Sequence, residues 1–297
     1  MQNFDQAQRL REAVVYKKTT DNKERSTKSA TRVICVSSGK GGVGKSNFTI
    51  NLAIALQSQG KKVIVIDADL GLANVEILLG IMPKFTLLDV ITKNTRIQDV
   101  IIKGPMDIGI ISGGAGIQSM AELSFYDMNK LLNEINELKD MSDFILIDTG
   151  AGISKSVTSF IEASEELIVI TTCEPPSIAD AYALIKIISN IDKTKKISLV
   201  ANRAEDAKEA ENVYMKLSSV SKKFLDINIQ YLGDILDDDN VTKSVKKQMP
   251  FFINNPKSKA SIGIQNISEK LLNMPVSQKG FNSFMKKLKG LFVGGGA

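Results

Sequence analysis

The stretch VICVSSGKGGVGKS, Val33 to Ser46, decides the reading of this chain. Its first five residues are an apolar run that reads as a strand over 33–37. A glycine-rich loop follows, and the residues from about 45 to 59 predict a helix. Gly39-Lys40-Gly41-Gly42-Val43-Gly44-Lys45-Ser46 fits G-x-x-x-x-G-K-[ST] in the strand–loop–helix context that the motif requires. Glycines let the backbone turn its N–H groups inward around phosphate oxygens. The start of the helix adds its dipole. In this arrangement Lys45 holds the β- and γ-phosphates of a nucleoside triphosphate, and the Ser46 hydroxyl ligates Mg²⁺. The loop carries a second lysine, Lys40, which the ordinary motif does not need. Lys40 stands five positions before Lys45 in the loop, too far for both ammoniums to serve one phosphate pair within one subunit.

Outward from this loop the chain alternates. KVIVID (62–67), DIGIIS (107–112), DFILID (143–148), ELIVIT (166–171), ISLVAN (197–202) and NIQYLGDI (228–235) read as strands. Helices fit between them at about 126–139, 155–162, 177–190 and 205–223. The strand runs are almost wholly apolar, as in a parallel sheet covered on both faces. Repeated strand–helix units predict an α/β fold with a doubly wound, mainly parallel sheet. Ligands of such sheets sit at the carboxyl ends of the strands, where Asp67, Asp148 and Asn202 would converge.

Composition narrows the chemistry. The 297 residues are 43% hydrophobic and 24% charged, enough for a sizeable core. There is no histidine and no tryptophan. Lacking the usual neutral-pH acid–base group, the chain must work with Lys, Asp, Ser/Thr and backbone groups, which suits phosphoryl transfer. Net charge is +5 and gathers at the ends. Six basic residues face two acidic ones from Lys17 to Arg32, and four lysines and no acid follow from Lys279. The near-neutral centre argues against a broad nucleic-acid face. Cys35 and Cys173 lie in apolar runs and read as buried thiols. The polar N-terminus shows no signal peptide, and no apolar run reaches a membrane span, so the reading is of a cytoplasmic protein.

Four regions follow: a short helix within 1–16 (FDQAQRLREAVVY), a basic linker at 17–30, a nucleotide domain at 31–273 and a tail at 274–297. In the tail, KGFNSFMKKLKGLFV (279–293) places Phe281, Phe284, Met285, Leu288, Leu291 and Phe292 at helical spacing. Lysines lie on or beside the other face. That is a basic amphipathic helix with aromatic anchors, suited to an anionic membrane surface or to packing on the protein's own core.

KGGVGKS resembles the deviant Walker A signature of the MinD/ParA family of ATPases. The resemblance implies ATP and Mg²⁺ as cofactors, and a homodimer in which Lys40 reaches across to the partner's phosphates. VIVIDADLGLANVE (63–76) resembles the family's first switch, so Asp69 would orient the attacking water and Asp67 would support waters on Mg²⁺. ILIDTGAGIS (145–154) resembles Walker B and the second switch, with Asp148 holding Mg²⁺ through water. Many relatives carry proline where Gly150 stands. Asn202-Arg203 resembles the adenine-contacting position, and Asn47 completes the nucleotide set. LGDILDDDN (232–240) is expected beside the base, with Asp234 or Ile235 nearest.

The N-terminal DQAQRLR resembles the D-Q-A-x-x-L-R motif of the FlhG (YlxH, FleN) branch. By that resemblance Asp5, Gln6, Ala7, Leu10 and Arg11 would contact FlhF, a signal-recognition-type GTPase, with Gln6 at its active site. Flagellar basal-body (C-ring) components would be further partners. Two other readings share the core: a division-site MinD-type ATPase, and a ParA-type DNA partition ATPase. The first leaves the N-terminal helix unexplained, and the aromatic tail argues against the second.

Overall fold

A computed structural model describes residues 31–69, 74–113, 124–275 and 280–293, with the side chains of 125, 292 and 293 aside. The expected N-terminal helix and linker, with Asp5, Gln6, Ala7, Leu10 and Arg11, lie outside the described residues. Leu70 to Ala73 of the first-switch motif do too.

Eight strands form one sheet: β1 (Arg32–Ser37), β2 (Val63–Ala68), β3 (Ile102–Lys103), β4 (Gly109–Ser112), β5 (Phe144–Thr149), β6 (Glu166–Thr172), β7 (Lys196–Ala204) and β8 (Ile229–Leu236). Their order is β3-β4-β2-β5-β1-β6-β7-β8. All neighbours are parallel except the two-residue β3, which pairs antiparallel at the edge. β3 was not foreseen, because two residues carry no periodicity. The seven expected strands stand within two residues of their predicted ends, but DIGIIS begins later. Its Asp107 closes a 3₁₀ turn, Pro105–Asp107, so β4 starts at Gly109.

Alternate side chains of each strand face opposite ways and build two cores. On one face Val33, Cys35, Ile64, Ile145 and Leu167 meet α5 (Phe125–Asn136), α6 (Lys155–Ala163), α7 (Pro175–Ile191) and α8 (Ala207–Leu225). On the other Ile34, Val36, Val65 and Leu146 meet α1 (Lys45–Ser58) and α11 (Lys259–Asn273). Short helices were missed for want of length: α2 (Asn74–Leu79), α3 (Leu87–Thr92), α4 (Ile97–Val100), α9 (Asp239–Lys246) and α10 (Phe251–Asn254). Polar side chains start several of the longer ones. Ser154, Asp206 and Ser258 each accept a backbone N–H in the first turn of α6, α8 and α11. Cys35 is buried as expected, and Cys173 is half-buried.

The tail helix α12 (Gly280–Val293) forms where the spacing predicts it. In this structure its apolar face is covered by protein. Phe281, Phe284 and Leu288 are buried in the first core, and Met285 and Leu291 pack against it. The contacts are with α6, α5 and β1. Phe292 falls among the side chains set aside. The described part of the region after 273 thus packs on the nucleotide domain. No described helix is long and apolar enough to cross a membrane.

At the amino ends of the strands, the Arg32 guanidinium grips Glu166 with Nε and Nη2 at 2.9 and 2.6 Å, and gives Nη1 to the Leu271 carbonyl at 2.8 Å. Both side chains are buried. Removing one member of such a pair strands the other's charge. Glu166→Ala is expected to lower stability by about 3–5 kcal/mol in urea unfolding, and Arg32→Met/Glu166→Leu by much less.

Candidate nucleotide site

The carboxyl ends of β1, β2 and β5 meet at one point. The parallel register sets Asp67 opposite Asp148 and Val36 opposite Asp148. The loop after β1 therefore opens over both carboxylates. Gly44 caps α1 in the left-handed region, φ 92°, and no side chain caps the helix. The first N–H groups of α1 are thus left for an external acceptor, which is what a phosphate supplies.

Lys45 is buried and donates to Asp148 Oδ1 at 2.8 Å; Thr49 Oγ1 donates to the same oxygen at 3.3 Å. Asp148 Oδ2 is buried and has no partner. A buried unpaired carboxylate oxygen, one residue from a strand end and beside Lys45, is a fitting acceptor for a hydrogen bond from a water on Mg²⁺. Ser46, half-buried in the first turn of α1, supplies the hydroxyl. The residues present fit Mg²⁺–nucleotide. The ion would neutralise charge on the phosphates, while Lys45 exchanges Asp148 for phosphate oxygen.

Lys40 goes elsewhere. It is exposed and lies 3.7 Å from Glu174, at the start of α7. Gly39 cannot be replaced cheaply, since a Cβ there would overlap the Asp180 carbonyl of α7. Gly41 and Gly42 are exposed, and Val43 is buried. Asn202 ties loop to sheet: its amide donates to the Val43 carbonyl at 2.7 Å. A Cβ on Gly44 would overlap that same amide.

Asp69 accepts from Asn74 Nδ2 at 3.0 Å, and its backbone N–H donates to Asp67 Oδ1 at 3.0 Å. Asn74 went unnoticed in the sequence although it lies within the quoted motif. The second-switch loop comes close here. A Cβ on Gly150 would sit 3.3 Å from Asp69 Oδ1, so glycine gives the aspartate room that a proline would narrow.

A cavity of about 280 Å³ continues from the loop, lined by Gly44, Asn47, Asn202, Arg203, Ile235 and Phe251, with Leu236 to Asp239, Val241 and Thr242 around it. It has the place and shape for the base. Asn47, Asn202 and Arg203, the residues expected at the base, line this cavity, Arg203 at φ 58°. Of the two residues expected near the base, Ile235 lines the cavity. Asp234 instead accepts a hydrogen bond from the Tyr231 hydroxyl at 2.8 Å. Phe251, Val241 and Thr242 were missed, because helices without a motif carry no label in sequence.

Asp67 is buried, and burial pushes its carboxyl up to about 7, helped by the charge of Asp148 and opposed by the N–H groups of Asp69 and Val75. The folded state then holds a proton that the unfolded chain releases near 3.8. Folding stability should fall as pH rises from about 4 to about 7. In urea unfolding without Mg²⁺, the wild type is expected to lose stability against Asp67→Asn across that window, by at most about 4 kcal/mol, and to run parallel to it below pH 4.

Residues 31–201 match the AAA domain family. The antiactivator FleN of Pseudomonas aeruginosa is 41% identical over 245 residues, covering 82% of this chain and 88% of that protein. The flagellum site-determining protein YlxH of Helicobacter pylori is 32% identical, over 88% of this chain and 90% of its own. Among solved structures, the septum site-determining protein MinD of Pyrococcus horikoshii, complexed with Mg-ADP, is 26% identical. It superposes with TM-score 0.65, over 82% of this chain and 96% of that one. Fold, site and sequence make this chain a member of the MinD/ParA group of P-loop ATPases, of the FleN/YlxH type, hydrolysing ATP with Mg²⁺.

Proposed function

We propose that the chain is a dimerisation-gated, membrane-associating ATPase that sets flagellar number or placement. The observation that carries the reading is the docked tail. A helix with an apolar aromatic face and exposed lysines Lys286 and Lys289 lies against α6. α6 begins directly after the second-switch loop, Gly150 to Ile153, so a rearrangement there moves a wall of the groove that holds Phe284. ATP binding would release the tail, and a homodimer would present two such helices to the inner face of the cell membrane. One short helix binds marginally, whereas two bind by avidity.

Lys40 supports the dimer. It is exposed while Lys45 is committed to Asp148, so the two lysines serve different partners. A partner's phosphates are the natural target for an otherwise exposed cation, and dimer contacts and nucleotide charge would stabilise each other. The flagellar process rests on the likeness to FleN and YlxH, and FlhF stimulation on the DQAQRLR motif.

Co-sedimentation with anionic vesicles tests the gating. Binding is expected in ATP, to be weak in ADP, and to be lost in Phe284→Glu. Equal binding in both nucleotides would reject the gate, and no binding in either would reject membrane association. The process has its own test. A peptide of residues 1–17 is expected to accelerate GTP hydrolysis by FlhF, and Gln6→Ala to abolish the effect; no acceleration would reject that assignment.

A further inference from the structure

The end of the sheet remote from the nucleotide carries a second feature. Here the amino ends of β6, β7 and β8 stand side by side, Glu166 opposite Lys196 and Ile197 opposite Ile229. Six strand residues at about 3.3 Å each put this edge roughly 20 Å from the phosphate loop. The tail helix begins at this end of the sheet. Gly280 shares a small crevice with Arg32 and Glu166, and Lys287 lies 3.2 Å from Asp192 in the loop before β7.

That loop leads on to Lys193, which is exposed and close enough to Asp226 to lower its carboxyl together with the nearer Lys222. Asp226 ends α8, where Lys222 and Lys223 are exposed. Beside them Phe224 is 65% exposed, with the Lys223 ammonium 5.2 Å from its ring centroid. The docked tail adds Lys286 and Lys289, both outward. Two acids beside this group are already paired: Asp192 among Lys195, Lys287 and Thr194, and Asp226 with Lys222.

An exposed phenylalanine with a lysine ammonium against its ring is a poor solvent-facing surface and a good interfacial one. We propose that this edge is a second contact with anionic lipid, made by Lys193, Lys222, Lys223 and Phe224 on the body and acting together with Lys286 and Lys289 of the tail. It rests on the membrane association proposed above. The lysines attract the docked form before the tail inserts, and Phe224 then enters the headgroup region beside it. Lipid is favoured over nucleic acid because the ring is aromatic and exposed, and because the same chain carries a basic amphipathic helix. A polynucleotide would use the charges alone.

The chain contains no tryptophan. Full-length protein bearing Phe224→Trp therefore has a single reporter at this edge. With ATP and vesicles of phosphatidylcholine and phosphatidylglycerol, its emission is expected to shift to the blue, with no shift on phosphatidylcholine alone. In co-sedimentation, Lys193→Gln/Lys222→Gln/Lys223→Gln should weaken binding by one to two orders of magnitude, about five-fold per lysine. Its ATPase rate in solution should stay unchanged. If wild type binds and the emission does not move, or the triple variant binds as well as wild type, the edge contact is overturned and the tail-only reading survives. If wild type binds no vesicles at all, both fall. If the triple variant keeps vesicle binding and loses salt-dependent DNA binding instead, the surface belongs to nucleic acid.

Discussion

The buried ion pair of Lys45 with Asp148 is the contact on which the rest of this molecule depends. It exists because three parallel strands end together and leave two aspartates in a low-dielectric space. Burying a charge is costly unless it is paired, and here the pairing is half complete: Oδ1 has Lys45 and Thr49, Oδ2 has nothing. A site in this condition is ready to trade partners. Phosphate can take Lys45 without leaving Asp148 stranded, provided a cation with its waters arrives on the other side. The same crowding lifts the Asp67 carboxyl to about 7.

From this pair the strain of exchange has short routes outward. Asp148 and Thr149 run straight into Gly150, which lies against Asp69, and Asp69 is held in turn by Asn74 at the head of α2. Four residues beyond Gly150, Ser154 caps α6, against which the tail helix is packed. The far end of α6 is gripped by Lys195, which donates to the carbonyls of Ile161, Glu162 and Ser164. Lys287 of the tail reaches the Glu162 carbonyl as well. One short helix thus touches the nucleotide machinery at its start and the tail at its end.

Much of this was legible before any coordinates. The G-x-x-x-x-G-K-[ST] loop fixed the phosphate site because backbone geometry permits few alternatives. Apolar runs gave seven strands because burial on both faces leaves no polar positions. Sequence reading failed where the signal is short or distributed. The strand Ile102–Lys103 and helix α10 are too brief for a period, and Phe251 reaches the base cavity only through the packing of α9, α10 and α11 against α1. Asp234 and Ile235 are neighbours in sequence, and only the direction of each side chain separates the wall of the cavity from the partner of Tyr231.

The tail draws the line most clearly. The sequence by itself determined that residues 281–292 form a helix with one apolar face, because spacing of 3.6 and side-chain chemistry are local properties. It could not decide what covers that face. Lipid and a protein groove offer the same apolar contact, so the choice lies in the shape left between α5, α6 and β1, and in Asp192 standing where Lys287 can meet it. Likewise the chain carried two loop lysines in plain view. Their spacing already set them to different phosphates; the fold adds that one turns inward onto Asp148 and the other stays at the surface beside Glu174.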